Sequence, residues 1–169
     1  MIKTLLLLRH AKSSWKLAEL EDHDRPLNAR GRNACAFVGR HLAEKSLAPD
    51  LVLCSTATRT RQTAELVFAE FQAEPEIDYR DDLYHADPAG IVAVLMQIAQ
   101  PATCVMVIAH NPGLEEFLTQ QTGEIQPFPT AAVAQLDYEL DTWAHFKLVN
   151  KGLLVRLWRP RKPDSDLGD

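Results

Sequence analysis

The sequence predicts an α/β protein: a single-domain three-layer α/β/α sandwich, its central sheet mostly parallel and covered by helices on both faces. Three observations lead there. Short apolar runs of strand length, at 2–8, 51–54 and 104–109, alternate with longer stretches whose apolar residues recur at helical spacing. The runs lack polar alternation, as strands buried on both faces require. Each also ends abruptly in polar residues, and ligand sites of open α/β sheets lie beyond the carboxyl ends of the strands.

The elements follow in order. Ile2 to Leu8 forms the first strand, with Arg9 and His10 just beyond it. Pro26-Leu27-Asn28 opens a helix running to about Lys45, its apolar side carrying Ala34, Phe37, Val38, His41 and Leu42. Pro49-Asp50 resets the chain before the second strand, and a second helix runs from Ala57 to about Phe71. Ile77-Asp78-Tyr79 is a short edge strand. Asp87-Pro88 pairs an N-cap with proline at the first helical position, so Ala89 to Ile98 is helix. Asn111-Pro112 repeats that signal after the third strand and starts a helix to about Gln121. Ala132–Leu140 and Gly152–Trp158 read as two further strands that pair at one edge and make the sheet mixed. Residues 161–169, charged and opened by Arg161-Lys162-Pro163, form a surface or disordered tail to a domain spanning 1–160.

Composition narrows the function. At 169 residues, 46% hydrophobic and 24% charged, the chain has the make-up of one soluble domain with a full core. A formal net charge of -5 argues against nucleic acid as a partner. No stretch reaches the ~18 apolar residues of a membrane helix. No leader precedes the first strand, so a cytoplasmic location is expected. Cys35, Cys54 and Cys104 are odd in number and lack CxxC spacing, which fits reduced core cysteines rather than disulfides or zinc ligands. There is no HExxH, GxGxxG or GxxxxGK[ST], so no metal or cofactor is expected.

Three strand ends then deliver Arg9 with His10, Arg59 with Arg61, and His110 to one edge of the sheet. Guanidinium and imidazole groups without a carboxylate cage make an anion site. A guanidinium beside an imidazole suits a phosphoryl group, one to hold charge and the other to attack. Arg61, two residues past Arg59, points elsewhere and lies on the surface or rim. His23, His41 and His145 read as surface or core filler.

The same residues resemble a known family. Leu5 to Trp15, with Arg9-His10-Ala11-Lys12-Ser13, is similar to the Arg-His-Gly signature of the histidine phosphatase superfamily (phosphoglycerate-mutase-like fold), with alanine for glycine. Ser55 with Arg59 resembles its second motif, and His110 its second histidine. Asp24 to Gly31, Leu83-Tyr84-His85-Ala86 and Thr130 to Trp143 resemble the short SixA-type phosphohistidine phosphatase branch. The resemblance implies His10 as nucleophile, Arg9 and Arg59 as phosphoryl clamps, and His110 as a further donor. Ser13 and Asn28 are weaker substrate contacts, Ser55 organises a turn, and a cap or turn role serves Asn28 equally well. Family members that cleave esters carry an acidic proton donor, and Asp82, then His85, stands nearest to that place.

The implied activity is metal-independent hydrolysis of phosphohistidine through a phospho-His10 intermediate. Imidazole leaves phosphorus far more readily than an alkoxide, so a poorly made acid still permits it. A short chain leaves only Lys16–Arg25 and Gly123–Thr130 as rims, an open site fitting a phosphohistidine-bearing protein. The alternatives are a phosphatase of a small ester such as a sugar or nucleotide phosphate, and a binding module without turnover. The sequence is silent on oligomeric state.

Overall fold

Four consecutive leucines, Leu5 to Leu8, divide the molecule into its layers. They lie in β1 (Ile2–Arg9), the central strand of a computed structural model that describes residues 1–160. Alternate side chains of a strand face opposite ways. Leu5 and Leu7 therefore enter one core, and Leu6 and Leu8 the other. The first core packs under α3 (Pro88–Leu95) and α4 (Gly113–Thr122) with Phe128, Trp143 and Phe146. The second packs under α1 (Ala29–Glu44) and α2 (Thr58–Phe68).

The remaining strands are β2 (Leu51–Ser55), β3 (Glu76–Arg80), β4 (Cys104–Ala109), β5 (Val133–Glu139) and β6 (Leu153–Trp158). Their order across the sheet is β3-β2-β4-β1-β5-β6. Strands β1 to β4 are parallel, and β5 runs antiparallel to both β1 and β6, so the sheet is mixed as expected. Register brings the functional ends level: Arg9 pairs with Ala109, Cys54 with Ile108, and Leu8 with Val133. His10, Ser55 and His110 thus leave the sheet along one edge. The antiparallel β5 begins there and carries the segment Phe128–Ala132 beside them.

Some boundaries differ from the sequence expectation, for local reasons. Helix α2 stops at Phe68 because Glu70 and Phe71 bond back to Val67 and Phe68, a tightened last turn. Gln97 and Ile98 end α3 in the same way, through Val94 and Leu95. Asn111 does not cap α4. Pro112 holds that position, and the Asn111 amide donates instead to the Phe128 carbonyl at 2.9 Å. On α1 the buried side is Cys35, Val38, Gly39 and Leu42, whereas Phe37 is 60% exposed. Phe37 stacks on His41, which meets Trp158 edge-on, so these rings border the sheet rather than fill its core. The cysteines are free, Cys35 and Cys54 buried and Cys104 half-buried. The tail from Arg161 lies outside the described residues.

Candidate active site

His10 sits one residue past β1 and is 7% exposed. Its backbone N–H donates to Ala109 and its carbonyl accepts from Ala131, which pins it between β4 and the start of β5. The ring Nδ1 donates to the Ala11 carbonyl at 2.8 Å, which leaves Nε2 with a free lone pair. Burial pushes the ring down to about 4, and Arg59, Arg9 and Arg25 push the same way against the Ala11 bond. At neutral pH the ring is uncharged, the state a nitrogen nucleophile needs.

Ala11 is fixed in turn. Its N–H donates to Thr63 Oγ1, and that hydroxyl donates to the Arg59 carbonyl. The His10 loop and the start of α2 are therefore one unit. Gly31 locks the loop from the other side: a side chain there would run into the Lys12 carbonyl.

His110 follows β4 and lies 5.2 Å from His10, centroid to centroid. Its Nε2 meets Ser55 Oγ at 2.7 Å. Ser55 Oγ also accepts from the Ala57 N–H, and in the tautomer that carries the ring proton on Nδ1 the Ser55 hydroxyl donates to Nε2. Burial, with His10 and Arg59 adding to it, lowers the ring to about 2. His110 is thus a neutral donor whose buried Nδ1 has no partner among the described residues.

Arg9, half-buried, gives one amino group to the Phe128 carbonyl at 3.1 Å, and its Nε is likewise without a partner. Burial lowers the guanidinium and Glu115 pulls it back, leaving the charge in place. Glu115 also accepts from the Phe128 N–H at 2.8 Å and so holds the loop that holds Arg9. Arg59, 5% exposed in the first turn of α2, donates to the Asp22 carbonyl at 2.7 Å and to its carboxylate at 3.1 Å. Two guanidiniums, a neutral imidazole donor and a neutral imidazole nucleophile can hold a phosphoryl dianion and displace its leaving group.

The profile of the histidine phosphatase superfamily (branch 1) matches residues 5–84. An uncharacterized chloroplastic protein of Arabidopsis thaliana is 33% identical over 150 residues, 83% of this chain and 69% of that one. An uncharacterized protein of Mycobacterium tuberculosis is 32% identical over 142 residues, 76% of this chain and 85% of that one. The SixA structure from Agrobacterium tumefaciens, assigned as a phosphohistidine phosphatase, superposes with a TM-score of 0.80 at 29% identity. It covers 94% of this chain and 98% of that one. The chain belongs to the histidine phosphatase superfamily. It is a phosphatase with the mixed α/β fold of that group.

The remaining sequence candidates fall into different places. Ser13 is buried and accepts from Arg25 at 2.7 Å. Asn28 is the N-cap of α1, accepting the Gly31 N–H at 2.9 Å. His85 is exposed in the left-handed region at φ 59, packed on Tyr84 at 3.9 Å and 6.4 Å from His110. Asp82 is not brought to the other four. Both its oxygens are held by Arg80, at 2.8 and 3.1 Å, on the exposed turn after β3. Arg61 turns away as expected, donating to the Thr56 carbonyl and stacking on Tyr79. Among the described residues no group of three or more His, Cys, Asp or Glu is disposed to hold a metal.

Sequence reasoning missed Asp22, Arg25, Tyr84 and Glu115 as site residues. Asp22 lies in a single 3₁₀ turn, Asp22–Asp24, within the Lys16–Arg25 rim. Its carboxylate accepts from the Tyr84 hydroxyl at 2.7 Å, from Arg25 at 2.9 Å and from Arg59. Those three hold it well below the usual carboxylate range, Tyr84 foremost. The available signals were the i,i+3 spacing of Asp22 and Arg25 and the position of Tyr84 inside a quoted motif.

Proposed function

We propose that this phosphatase removes phosphoryl groups from phosphohistidine in proteins, without a metal, through a covalent phospho-His10 intermediate. The observation that carries the reading is the His10 ring, neutral and tethered at Nδ1, with Nε2 as its only free nitrogen. Nε2 attacks phosphorus and the bond to the leaving nitrogen breaks. Water then attacks phospho-His10, releasing inorganic phosphate and restoring the ring. Arg9 and Arg59 hold nonbridging oxygens, and His110 Nδ1 donates to a third.

The choice of phosphohistidine over an ester rests on proton supply. Asp82 is engaged by Arg80, and Asp22 is held ionised by Tyr84, Arg25 and Arg59. Neither carboxylate is a ready acid, and an alkoxide leaving group needs one. A phosphoimidazole whose distal ring nitrogen carries a proton, as imidazole does below ~6.5, departs as neutral imidazole without it. The name of the Agrobacterium structure points to the same substrate class. Ser13 and Asn28 act here as supports of the loop and of α1 rather than as substrate contacts. The domain is residues 1–160, and the location is cytoplasmic.

The test is phosphate release from a phosphohistidine-bearing protein and from an aryl phosphate, measured side by side with His10→Ala as control. Faster release from the protein, lost in the variant, is expected. Preference for the ester overturns the phosphohistidine reading, and binding without turnover of either substrate overturns the enzyme mechanism.

A further inference from the structure

The Asp22 carboxylate places a negative charge, the same sign as the phosphoryl group, beside the Arg59 clamp. It is held by Arg59, Arg25 and Tyr84 yet keeps 43% of its side-chain surface open. Its Oδ2 takes the Tyr84 and Arg59 bonds and its Oδ1 takes the Arg25 bond. A carboxylate oxygen accepts about two hydrogen bonds, so Oδ1 retains one acceptor position. Arg25 does not move to meet substrate. It is 7% exposed, bonded to the Ser14 carbonyl and Ser13 Oγ, and covered by the Trp15 ring at 3.2 Å. Tyr84 is equally tied, between His23, His85 and His110. The 3₁₀ turn itself is fastened to the far wall through His23 and Thr56, and Thr56 to Asp81. Asp22 is therefore a fixed anion at the mouth, with one lone pair to spare.

Such a group discriminates between leaving groups. It repels the extra negative charge that grows on a departing alkoxide and has no proton to relieve it. It attracts a leaving group that arrives carrying an N–H and a positive charge. Resting on the function proposed above, we propose that Asp22 is a specificity-determining residue: its carboxylate accepts the distal ring N–H of a protonated phosphoimidazole substrate and disfavours esters. In that step His10 Nε2 forms the bond to phosphorus as the bond to the substrate ring nitrogen breaks. The electron pair of that bond stays on the ring nitrogen. The distal proton, held by Asp22, stays on the ring, which leaves as neutral imidazole instead of an imidazolide anion. No other reactant enters.

The experiment compares kcat/KM for N-phosphoimidazole and 4-nitrophenyl phosphate, whose phenolate departs without a proton, in the wild type, Asp22→Asn and Asp22→Glu. The ratio of the two should fall about 10- to 100-fold in Asp22→Asn, the worth of one charge-assisted hydrogen bond, and recover in part in Asp22→Glu. A residue that merely supports Arg59 lowers both substrates alike, and an unchanged ratio overturns the inference while leaving the proposed function standing. Wild-type protein inactive on N-phosphoimidazole and on phosphohistidine removes that function, and this inference with it. A second arm needs no variant: N-phosphoryl-N′-methylimidazolium keeps the charge and lacks the N–H. Its KM with the wild type should exceed that of N-phosphoimidazole, and an equal KM overturns the role of Asp22.

Discussion

His10 and His110 are both buried imidazoles held neutral by the same means. Burial is the leading cause at each, so the ionised form is the one penalised. The His10 ring should titrate by NMR near about 4 rather than ~6.5, with turnover lost as pH falls through that midpoint. The stability consequence has the same direction. Unfolded histidine binds its proton below ~6.5 and folded His10 only near about 4, so the unfolded chain holds more protons in that window. Stability is full above ~6.5 and declines as pH drops, by about 3 kcal/mol from His10 alone, readable in urea midpoints against pH. Asp82 supplies a contrasting case. Its carboxylate pairs with Arg80 in an exposed setting, so Asp82→Asn should leave turnover of an aryl phosphate within about twofold and cost under about 1 kcal/mol. A collapse of that rate would restore Asp82 as the acid. Sequence placed His10, Arg9, Arg59 and His110 at strand ends because an apolar run followed by Arg-His is a local signal. It gave no sign of the Arg80–Asp82 pair, because the orientation of a side chain after an edge strand depends on its neighbour, here Arg80.

At the scale of elements, the site is a junction of one loop with the starts of two helices. Asn28 caps α1 and Asp87 caps α3, each accepting a glycine N–H three residues on. Asn28→Ala should therefore destabilise the fold by about 1 kcal/mol while leaving KM for phosphorylated substrates unchanged. A raised KM at unchanged stability would make Asn28 a substrate contact. Gly31 carries a different constraint, since any side chain would push the Lys12 carbonyl and with it the loop bearing His10. Gly31→Ala should lower kcat and cost about 1–3 kcal/mol, checked by steady-state kinetics with denaturant unfolding. Helix starts were legible from caps and prolines at α1 and α3. The start of α4 was legible to within one residue, but its cap was not, because Asn111 spends its amide on Phe128, a residue the chain reaches only after the whole of that helix.

Across the whole molecule, whose net charge is -5, the parallel strands converge Arg9, Arg59 and their neighbours on one edge. Inorganic phosphate should bind that edge and stabilise the folded chain by mass action, about 2.7 kcal/mol at a hundredfold excess over Kd. Thermal unfolding with and without phosphate checks it: the shift should be present in the wild type and absent in Arg59→Ala. The strand order, with β4 inserted between β1 and β2, is what brings His110 beside His10. The amino-acid sequence by itself determined the layers, the strand ends and four of the charged or imidazole groups found there. Each of these is written in nearest-neighbour chemistry: apolar runs, helical periodicity, caps and the residues that follow a run. Only the tertiary structure decided which of Asp22, Asp81 and Asp82 faces the site and what holds Arg59. Those depend on contacts between segments as distant as Asp22 and Tyr84, and a carboxylate carries no mark in sequence of the partner that will hold it.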